Sequence, residues 1–218
     1  MKIVRWGILG LGNIAEKFAS DLLLVPHCIL QAVASQRKNH AAFFAKKFNA
    51  LSFYDHYIAL LEDDQVDVIY IATLHPSHAQ WSIKALNRKK AVLCEKPLAM
   101  NPVDVKKMIA TSVKNNVFLM EALWSRFNPS ISKVKELIDN GSIGEVKYMY
   151  SEFSFLLEKM NKKHRLLDPK KGPGSLVDIG IYPIFLSYLL LGKPKDAVSY
   201  THLRAHETVL DLVFRLLL

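Results

Sequence analysis

Short apolar runs and amphipathic segments alternate from residue 3 to residue 121, and this alternation restricts the fold more than any other feature. The apolar runs are Ile3 to Leu9, Cys28 to Ala34, Leu51 to Phe53, Val66 to Thr73, Ala91 to Cys94 and Val117 to Glu121. Segments with helical periodicity separate them, such as the one with Ile14, Phe18 and Leu22 on one face and the one from Arg37 to Phe48. Buried parallel strands with helical crossovers produce this pattern. It predicts a doubly wound parallel α/β sheet with its ligand at the carboxyl ends of the strands.

The pattern changes after residue 122, which divides the chain into two predicted domains. Residues 1–122 form the expected dinucleotide-binding Rossmann domain, and an α+β domain begins at residue 123. In this second domain, Asn128 to Asn140 has helical periodicity. Val146 to Phe155 alternates in the manner of a strand from a half-exposed sheet.

Composition excludes several classes of function. The net charge of +9 is spread along the chain, and diffuse basicity argues against a nucleic-acid partner. No apolar run approaches the ~20 residues that cross a bilayer, and the N-terminus is typical of a strand rather than a leader. Cys28 and Cys94 form no metal-spaced pair, so we expect free thiols and no metal site. We therefore expect a cytoplasmic protein without a membrane partner.

The glycine turn after the first apolar run predicts a phosphate-binding loop, because it lies between a predicted strand and a predicted helix. Gly10 would permit the tight turn, and Gly12 would let backbone amides approach a pyrophosphate. Asn13 and Ile14 lie at the predicted helix N-terminus, which would face the negative charge, and Ala15 would keep the helix close to the strand. The alternative is a tight βα turn that holds no ligand.

The segment after the second apolar run, Ser35-Gln36-Arg37-Lys38, contains no acidic residue. An NAD site usually places Asp or Glu there to bind the ribose 2′-hydroxyl. The Ser35 hydroxyl, the Arg37 guanidinium and the Lys38 ammonium would instead suit a 2′-phosphate, which a carboxylate would repel. We therefore predict NADP as the cofactor, with NAD less favoured. The alternative is that Arg37 and Lys38 are only the solvated start of the next helix.

Two further places offer candidate catalytic groups. Lys96 follows the fifth apolar run, and Pro97 biases its backbone to the extended region, which aims its side chain at the ligand edge. Asp178 and Tyr182 lie four apart in an apolar segment after a glycine-rich turn, so on a helix they share one face. A charged carboxyl buried without a partner would be unfavourable. The alternatives are a surface lysine, a helix-capping aspartate and a core tyrosine.

Taken in order, these motifs resemble the Gfo/Idh/MocA family of oxidoreductases. The resemblance rests on the glycine turn, Ile71-Ala72-Thr73 with His75 and His78, Glu95-Lys96-Pro97, and Asp178 with Tyr182. Within the family, Met120 to Phe127 and Asp178 to Pro183 resemble the branch of dimeric dihydrodiol dehydrogenases and NADP-dependent D-xylose dehydrogenases.

The resemblance implies an activity and a role for each site residue. Hydride would pass between C4 of the nicotinamide and a hydroxyl-bearing carbon of a small sugar or diol. Lys96 would lie near the nicotinamide and lower the pKa of a neighbouring acid or base, Tyr182 would move the substrate hydroxyl proton, and Asp178 would orient the substrate. Trp124 and Arg126 would line the substrate pocket. The cofactor-binding set would comprise Gly10, Gly12, Asn13, Ile14, Ser35, Arg37, Lys38, Thr73, His75, His78, Glu95 and Lys96.

The resemblance ends near Val198. Family members are longer, complete the second domain with a large antiparallel sheet, and use that sheet for dimers, so the parent family implies a homo-oligomer. Residues 199–218 do not resemble the expected strands, which predicts a truncated gene with a partial second domain, residues 123–198, and a non-matching tail. Val146 to Phe155 would then be left with an uncovered sheet edge. His202 and His206 in the tail lack a third ligand, so they predict no metal site.

Three interpretations of function remain open at the level of sequence. The first is an NADP-dependent dehydrogenase, the second a non-catalytic dinucleotide-binding protein, and the third an inactive fragment of the dehydrogenase. Lys96, Asp178 and Tyr182 together favour the first over the second. A pentose, a hexose, a cyclic diol and an inositol all offer the secondary hydroxyl that the first requires.

Overall fold

The chain divides into two compact units, Met1–Ala122 and Leu123–Leu218. The computed structural model describes residues 2–154, 168, 171–172, 174–201 and 212–217. The boundary between the units falls where the alternation of strands and helices in the sequence ends.

The first unit is a six-stranded parallel sheet with helices on both faces. Its strands are β1 (Val4–Leu9), β2 (Cys28–Ala34), β3 (Ser52–Tyr54), β4 (Val68–Ile71), β5 (Ala91–Glu95) and β6 (Leu119–Ala122). Its helices are α1 (Asn13–Leu22), α2 (His40–Phe48), α3 (Tyr57–Glu62), α4 (His78–Asn87) and α5 (Pro102–Asn115), with a 3-10 turn at His75–Ser77. The strand order is β3-β2-β1-β4-β5-β6. The chain therefore reverses direction across the sheet between β1 and β4, which is where such folds bind their ligands.

Neighbouring residues of the central strands point to opposite faces of the sheet, so each strand contributes to two cores. Ile8 of β1 packs in one core with Ala15 of α1 and Phe44 of α2. Leu9, the next residue, packs in the other core with Leu60 of α3. Burial of each large apolar side chain contributes about 1.5–3 kcal/mol, so the continuous apolar runs of the sequence require helices on both faces.

The start of α2 differs from the expectation that the helix begins at Arg37. The Ser35 Oγ accepts the backbone N–H of Arg37 at 3.2 Å, and Asn39 adopts the left-handed conformation with φ of 59°. A residue in the left-handed conformation cannot continue a right-handed helix, so α2 begins at His40, directly after Asn39.

The second unit contains helices and a two-stranded antiparallel sheet. A 3-10 turn at Trp124–Phe127 leads into α6 (Pro129–Asp139). A π-helical turn at Leu176–Gly180 continues directly into α7 (Ile181–Leu191). Strands β7 (Asp196–Thr201) and β8 (Leu212–Leu217) pair with each other.

Two expectations for the second unit are corrected by the structure. Residues 146–154 form no strand, and Phe155 lies outside the described residues. Alternation of side chains favours a strand only where another strand supplies hydrogen bonds, and the structure pairs this described stretch with none. Conversely, the segment after residue 198 was expected to be a tail without the strands of the second domain. Its described residues, 199–201 and 212–217, belong to β7 and β8. The run Leu212 to Leu217 is apolar except for Arg215 and contains Val213 and Phe214, residue types that favour strands. His202 and His206 lie outside the described residues.

Candidate active site

Three neighbouring strands bring the predicted cofactor residues to one edge of the first unit. β1 lies between β2 and β4, and β4 pairs with β5. Gly10 directly follows β1, Thr73 follows β4, and Lys96 follows β5. Because all these strands are parallel, their carboxyl ends meet at the same edge. The motifs that are far apart in sequence are therefore adjacent in the fold.

Gly10 is required by the backbone geometry of the turn. Its φ is +92°, and a Cβ atom on it would lie 2.8 Å from the Ala72 carbonyl oxygen and 2.9 Å from the Thr73 backbone nitrogen. A side chain would therefore be strained by its own backbone and would collide with the segment after β4. The absence of a side chain at Gly10 therefore lets the predicted phosphate turn lie directly against the end of β4.

Gly12 has a different environment, which suits a ligand. It caps the N-terminus of α1 without a side-chain hydrogen bond, and a Cβ atom on it would meet nothing within 4 Å. The first helical bond is donated by the Glu16 amide to the Gly12 carbonyl at 3.1 Å, so the amides of Asn13 and Ile14 precede the helical ladder. An open surface beside amide donors and a helix N-terminus fits the pyrophosphate of a dinucleotide.

The end of β2 carries basic side chains and no carboxylate. Arg37 and Lys38 are exposed, whereas Ser35 is buried and its Oγ lies 3.2 Å from His40 Nδ1. Ser35 therefore fixes the turn, in addition to any contact with a ligand. Burial raises the pKa of the Tyr57 hydroxyl, and the charge of the Arg37 guanidinium opposes that rise.

His78 joins the segments that follow β4 and β5. The ring is buried, with Nδ1 2.8 Å from the Pro97 carbonyl oxygen and Nε2 3.1 Å from the Thr73 carbonyl oxygen. Burial lowers the pKa of His78, the carbonyl oxygens oppose this, and the Lys96 ammonium lowers it further. His75, also buried, lies edge-on to His78 with ring centroids 5.6 Å apart. His78 thus holds two segments of the ligand edge together, and His75 packs against it.

Glu95 lies under Lys96 and is held on both of its oxygens. The Tyr70 hydroxyl donates to Oε1 over 2.5 Å, and the Lys96 backbone N–H donates to Oε2 over 3.3 Å. Burial raises the pKa of Glu95, while the Tyr70 hydrogen bond and the Lys96 ammonium lower it. On β6, Glu121 Oε1 accepts the Leu98 backbone N–H at 2.7 Å, and burial raises the pKa of that carboxyl too.

Tyr70 and Glu121 were not singled out from the sequence as site residues. Tyr70 lies in the middle of an apolar strand, where a tyrosine is typical of a core position. Glu121 carried a weak signal, because a carboxylate at the carboxyl end of a predicted buried strand lies by position at the ligand edge.

In the second unit, Tyr182 lies between two aromatic side chains. The Trp124 Nε1–H donates to the Tyr182 hydroxyl oxygen at 3.3 Å. Phe153 meets the Tyr182 ring edge-on, with centroids 5.2 Å apart. Trp124 is 62% exposed, and Arg126 on the same 3-10 turn is exposed too. The structure therefore brings together the predicted proton-transfer residue and one of the predicted pocket residues.

Asp178 is buried, with only 5% of its surface exposed, and it belongs to the π-helical turn that precedes α7. Tyr182 lies in the first turn of α7. A π-helix has a wider turn than an α-helix, so the spacing of four residues does not stack the two side chains as it would in a regular α-helix. Such turns occur frequently at functional sites.

Among the described residues, the structure shows no cluster of three His, Cys, Asp or Glu side chains that would hold a metal ion. Among the same residues, no helix is long and apolar enough to span a membrane.

A dinucleotide-binding α/β domain with a lysine at its ligand edge, followed by a second domain, is an architecture of oxidoreductases. Residues 4–123 match the family described as "Oxidoreductase family, NAD-binding Rossmann fold" (Gfo/Idh/MocA), and residues 131–218 match the C-terminal domain of the same family. The chain belongs to the Gfo/Idh/MocA oxidoreductase family. The second match includes residues 199–218, which we expected from the sequence to lie outside the family.

Curated relatives and solved structures agree with this assignment. The chain is 39% identical over 211 residues to a trans-1,2-dihydrobenzene-1,2-diol dehydrogenase of Mus musculus, covering 95% of this chain and 62% of that protein. It is 39% identical over 200 residues to the Danio rerio enzyme of the same name, covering 90% and 59%. A 3-ketoreductase from Actinomadura kijaniata, solved with NADP and TDP-benzene, superposes with a TM-score of 0.80 at 30% identity, covering 91% of this chain and 60% of that one. The chain thus spans about three fifths of the length of these relatives.

Proposed function

We propose that the chain acts as an NADP-dependent dehydrogenase on a secondary hydroxyl of a small sugar or cyclic diol. Relatives named as dihydrodiol dehydrogenases and a 3-ketoreductase structure that contains NADP support this choice of reaction and cofactor. Both reactions interconvert a hydroxyl-bearing carbon with a more oxidised one.

The observation that carries the proposal is the row of groups along three neighbouring strand ends. The phosphate turn at Gly10 and Gly12, the segment at Thr73, and Lys96 follow β1, β4 and β5 in that spatial order. A dinucleotide is long enough to contact several adjacent strand ends at the point where the strand order reverses. A Cβ atom at position 12 would meet nothing within 4 Å, so packing within the turn does not call for glycine there. The close approach of a ligand would.

The basic segment after β2 supports NADP over NAD. The exposed Arg37 and Lys38 offer cationic donors where an NAD site usually has a carboxylate. A guanidinium binds a phosphate through paired hydrogen bonds, so Arg37 would hold the 2′-phosphate and Lys38 would add charge. When bound, the cofactor would supply the hydride acceptor and donor at its nicotinamide.

The chain's own residues would supply proton transfer and orientation. Tyr182 would exchange the proton of the substrate hydroxyl at its own hydroxyl oxygen. The Trp124 N–H already donates to that oxygen, so it would stabilise the negative charge that develops there when the proton leaves. Asp178 would orient the substrate hydroxyls, and Lys96 would add a positive charge at the reacting end. Arg126 would contribute to the substrate pocket.

A screen for oxidation tests this proposal. The chain would be incubated with NADP⁺ and a panel of pentoses, hexoses, cyclic diols and inositols, and the reduced nicotinamide would be followed by absorbance. We expect turnover with at least one member of the panel. Saturable cofactor binding without turnover on the whole panel would contradict dehydrogenase activity and favour the dinucleotide-binding alternative.

Tyr182→Phe should remove most of the turnover, by a factor of about 10² or more, because general acid–base catalysis contributes that much. It should change cofactor affinity by less than about twofold, because the proposed cofactor-binding groups, the phosphate turn and the basic segment after β2, do not include Tyr182. Tyr188→Phe is the matched control, since Tyr188 lies on the same helix and is 59% exposed. A Tyr182→Phe variant with the rate of the Tyr188→Phe variant would move the proton-transfer role to another residue.

A further inference from the structure

A buried hydroxyl lies directly behind the candidate catalytic lysine. Tyr70 of β4 is 2% exposed, and its hydroxyl donates to Glu95 Oε1 over 2.5 Å. The second Glu95 oxygen accepts the backbone N–H of Lys96 at 3.3 Å. A chain of contacts therefore runs from the interior of the sheet through Glu95 to the backbone of Lys96.

The ring of Tyr70 is fixed by packing that does not need the hydroxyl. Phe18 of α1 stacks on it with centroids 3.8 Å apart, and Trp6 of β1 contacts Phe18 at 5.3 Å. A phenylalanine at position 70 would keep these contacts and lose the bond to Glu95. Packing alone therefore does not account for a tyrosine here. Its hydroxyl has a separate task.

The charges around Glu95 show what that task is. Burial and the neighbouring Glu121 carboxyl raise the pKa of Glu95. The Tyr70 hydrogen bond is the strongest of the interactions that lower this pKa, ahead of the Lys96 ammonium and the Lys96 N–H. Burial lowers the pKa of the neighbouring His78 of α4, whose ring bonds the Pro97 and Thr73 carbonyl oxygens. Loss of the Tyr70 hydroxyl would therefore move Glu95 toward its neutral form.

We propose that Tyr70 is a positioning residue of the dehydrogenase site: its hydroxyl holds Glu95 as a carboxylate, and Glu95 in turn orients and charge-balances Lys96. This inference rests on the proposed function, because Lys96 has a catalytic role only there. Tyr70 makes or breaks no bond in the reaction. It acts through the Glu95 carboxylate. A neutral Glu95 carboxyl could not do the same, because it would offer Lys96 no negative charge.

The first test compares the pH dependence of kcat in the wild type, Tyr70→Phe and Tyr54→Phe. Tyr54→Phe is a matched control, because the Tyr54 hydroxyl also donates to a carboxylate, Asp63 Oδ2 at 3.1 Å, but on the edge strand β3. We expect Tyr70→Phe to lower kcat about tenfold at neutral pH. Because its Glu95 pKa rises, its activity should also be lost at a higher pH than in the wild type as the solution is acidified. An unchanged pH profile, or an equal change in Tyr54→Phe, would overturn the proposal.

A second test asks whether Tyr70 acts through Glu95. Once Glu95→Gln has removed the charge, Tyr70→Phe in that background should change kcat by less than about twofold. A further tenfold loss in the double variant would show that Tyr70 acts by another route and would overturn the proposal.

A third readout is independent of activity. With isotope-labelled glutamate carboxyl groups, the NMR signal of Glu95 is identified by its absence in Glu95→Gln and is titrated without cofactor. We expect it to titrate at higher pH in Tyr70→Phe than in the wild type, and an unchanged titration overturns the proposal. If that titration shifts but the wild type oxidises no substrate, the hold of Tyr70 on Glu95 is supported, and the failure lies in the proposed function.

Discussion

Gly10 and Gly12 stand two residues apart in the same turn, but their backbone conformations and surroundings differ. Gly10 has a left-handed backbone and no room for a Cβ atom, because the segment after β4 is in the way. Gly12 has an extended backbone, with φ of −94°, and an open Cβ position. The first glycine therefore serves the fold, and we infer that the second serves the ligand.

This difference predicts opposite results for two alanine variants. Gly10→Ala should lower the free energy of unfolding by about 1–3 kcal/mol, because it adds backbone strain and a collision with Ala72. Gly12→Ala should leave the free energy of unfolding within about 0.5 kcal/mol of the wild type but weaken NADPH binding, because the methyl group occupies the approach of the pyrophosphate. Urea unfolding and a cofactor titration measure both. A destabilised Gly12→Ala that binds NADPH normally would contradict this division of roles.

Arg37 is the residue that the proposed NADP preference depends on most. Arg37→Ala should weaken NADPH binding about tenfold or more and leave NADH binding nearly unchanged, since the 2′-phosphate is the only difference between the two cofactors. Lys46→Ala is a suitable control, because Lys46 is an exposed cation in the last turn of the same helix region. Equal losses for NADPH and NADH would refute the assignment of Arg37.

Single residues also show where sequence reasoning stops. Lys96 was predicted from its place after a strand, and the structure puts it at the expected edge. Tyr70 was not predicted, because its partner Glu95 is 25 residues away and the contact exists only once β4 and β5 are paired. Contacts of this kind depend on strand register, which a pattern of apolar residues does not specify at the level of atoms.

At the scale of elements, the parallel sheet was predicted closely and its short connections less so. β2 spans Cys28–Ala34 as expected, because an apolar run bounded by turn residues has little freedom. The predicted start of α2 was wrong by three residues, since Asn39 adopts a left-handed conformation that the periodicity of apolar residues does not indicate. The strand expected at Val146 to Phe155 failed for a different reason. Its partner would have to come from another part of the chain.

One ion pair joins two elements of the sheet and gives a pH-dependent stability. The Arg5 side chain of β1 donates to both oxygens of Asp67, just before β4, from Nε at 3.0 Å and from a terminal nitrogen at 2.8 Å. These bonds lower the pKa of Asp67 from 3.8 to about 2. A carboxyl with a lowered pKa stabilises the fold above its ordinary pKa, and this contribution is lost as the pH falls toward the folded value.

Asp67→Asn should therefore be less stable than the wild type at neutral pH, and the difference should shrink between about pH 4 and pH 2. The free energy of unfolding, measured in urea across this range, tests the prediction. Asp21→Asn is the control, because Asp21 pairs with Lys17 on the exposed face of α1 and should contribute less than about 0.5 kcal/mol at any pH. A difference for Asp67→Asn that stays constant down to pH 2 would contradict the pKa assignment.

At the scale of the whole molecule, the chain consists of a dinucleotide-binding unit and a second unit that carries the proposed proton-transfer residue. The parallel sheet of the first unit followed from the sequence, because local periodicity and glycine placement determine it. The second unit did not, because β7 and β8 are separated along the chain and pair only in the fold. The family match over residues 131–218 identifies this part more securely than its periodicity does.

A fluorescence titration of the 218-residue chain with NADPH and, separately, with NADH tests whether this protein is an NADP-dependent enzyme. We predict saturable binding of both cofactors, with NADPH bound at least tenfold more tightly, about 1.4 kcal/mol, through the basic segment after β2. Binding of neither cofactor by the folded chain, or equal or tighter binding of NADH, would contradict an NADP-dependent dehydrogenase.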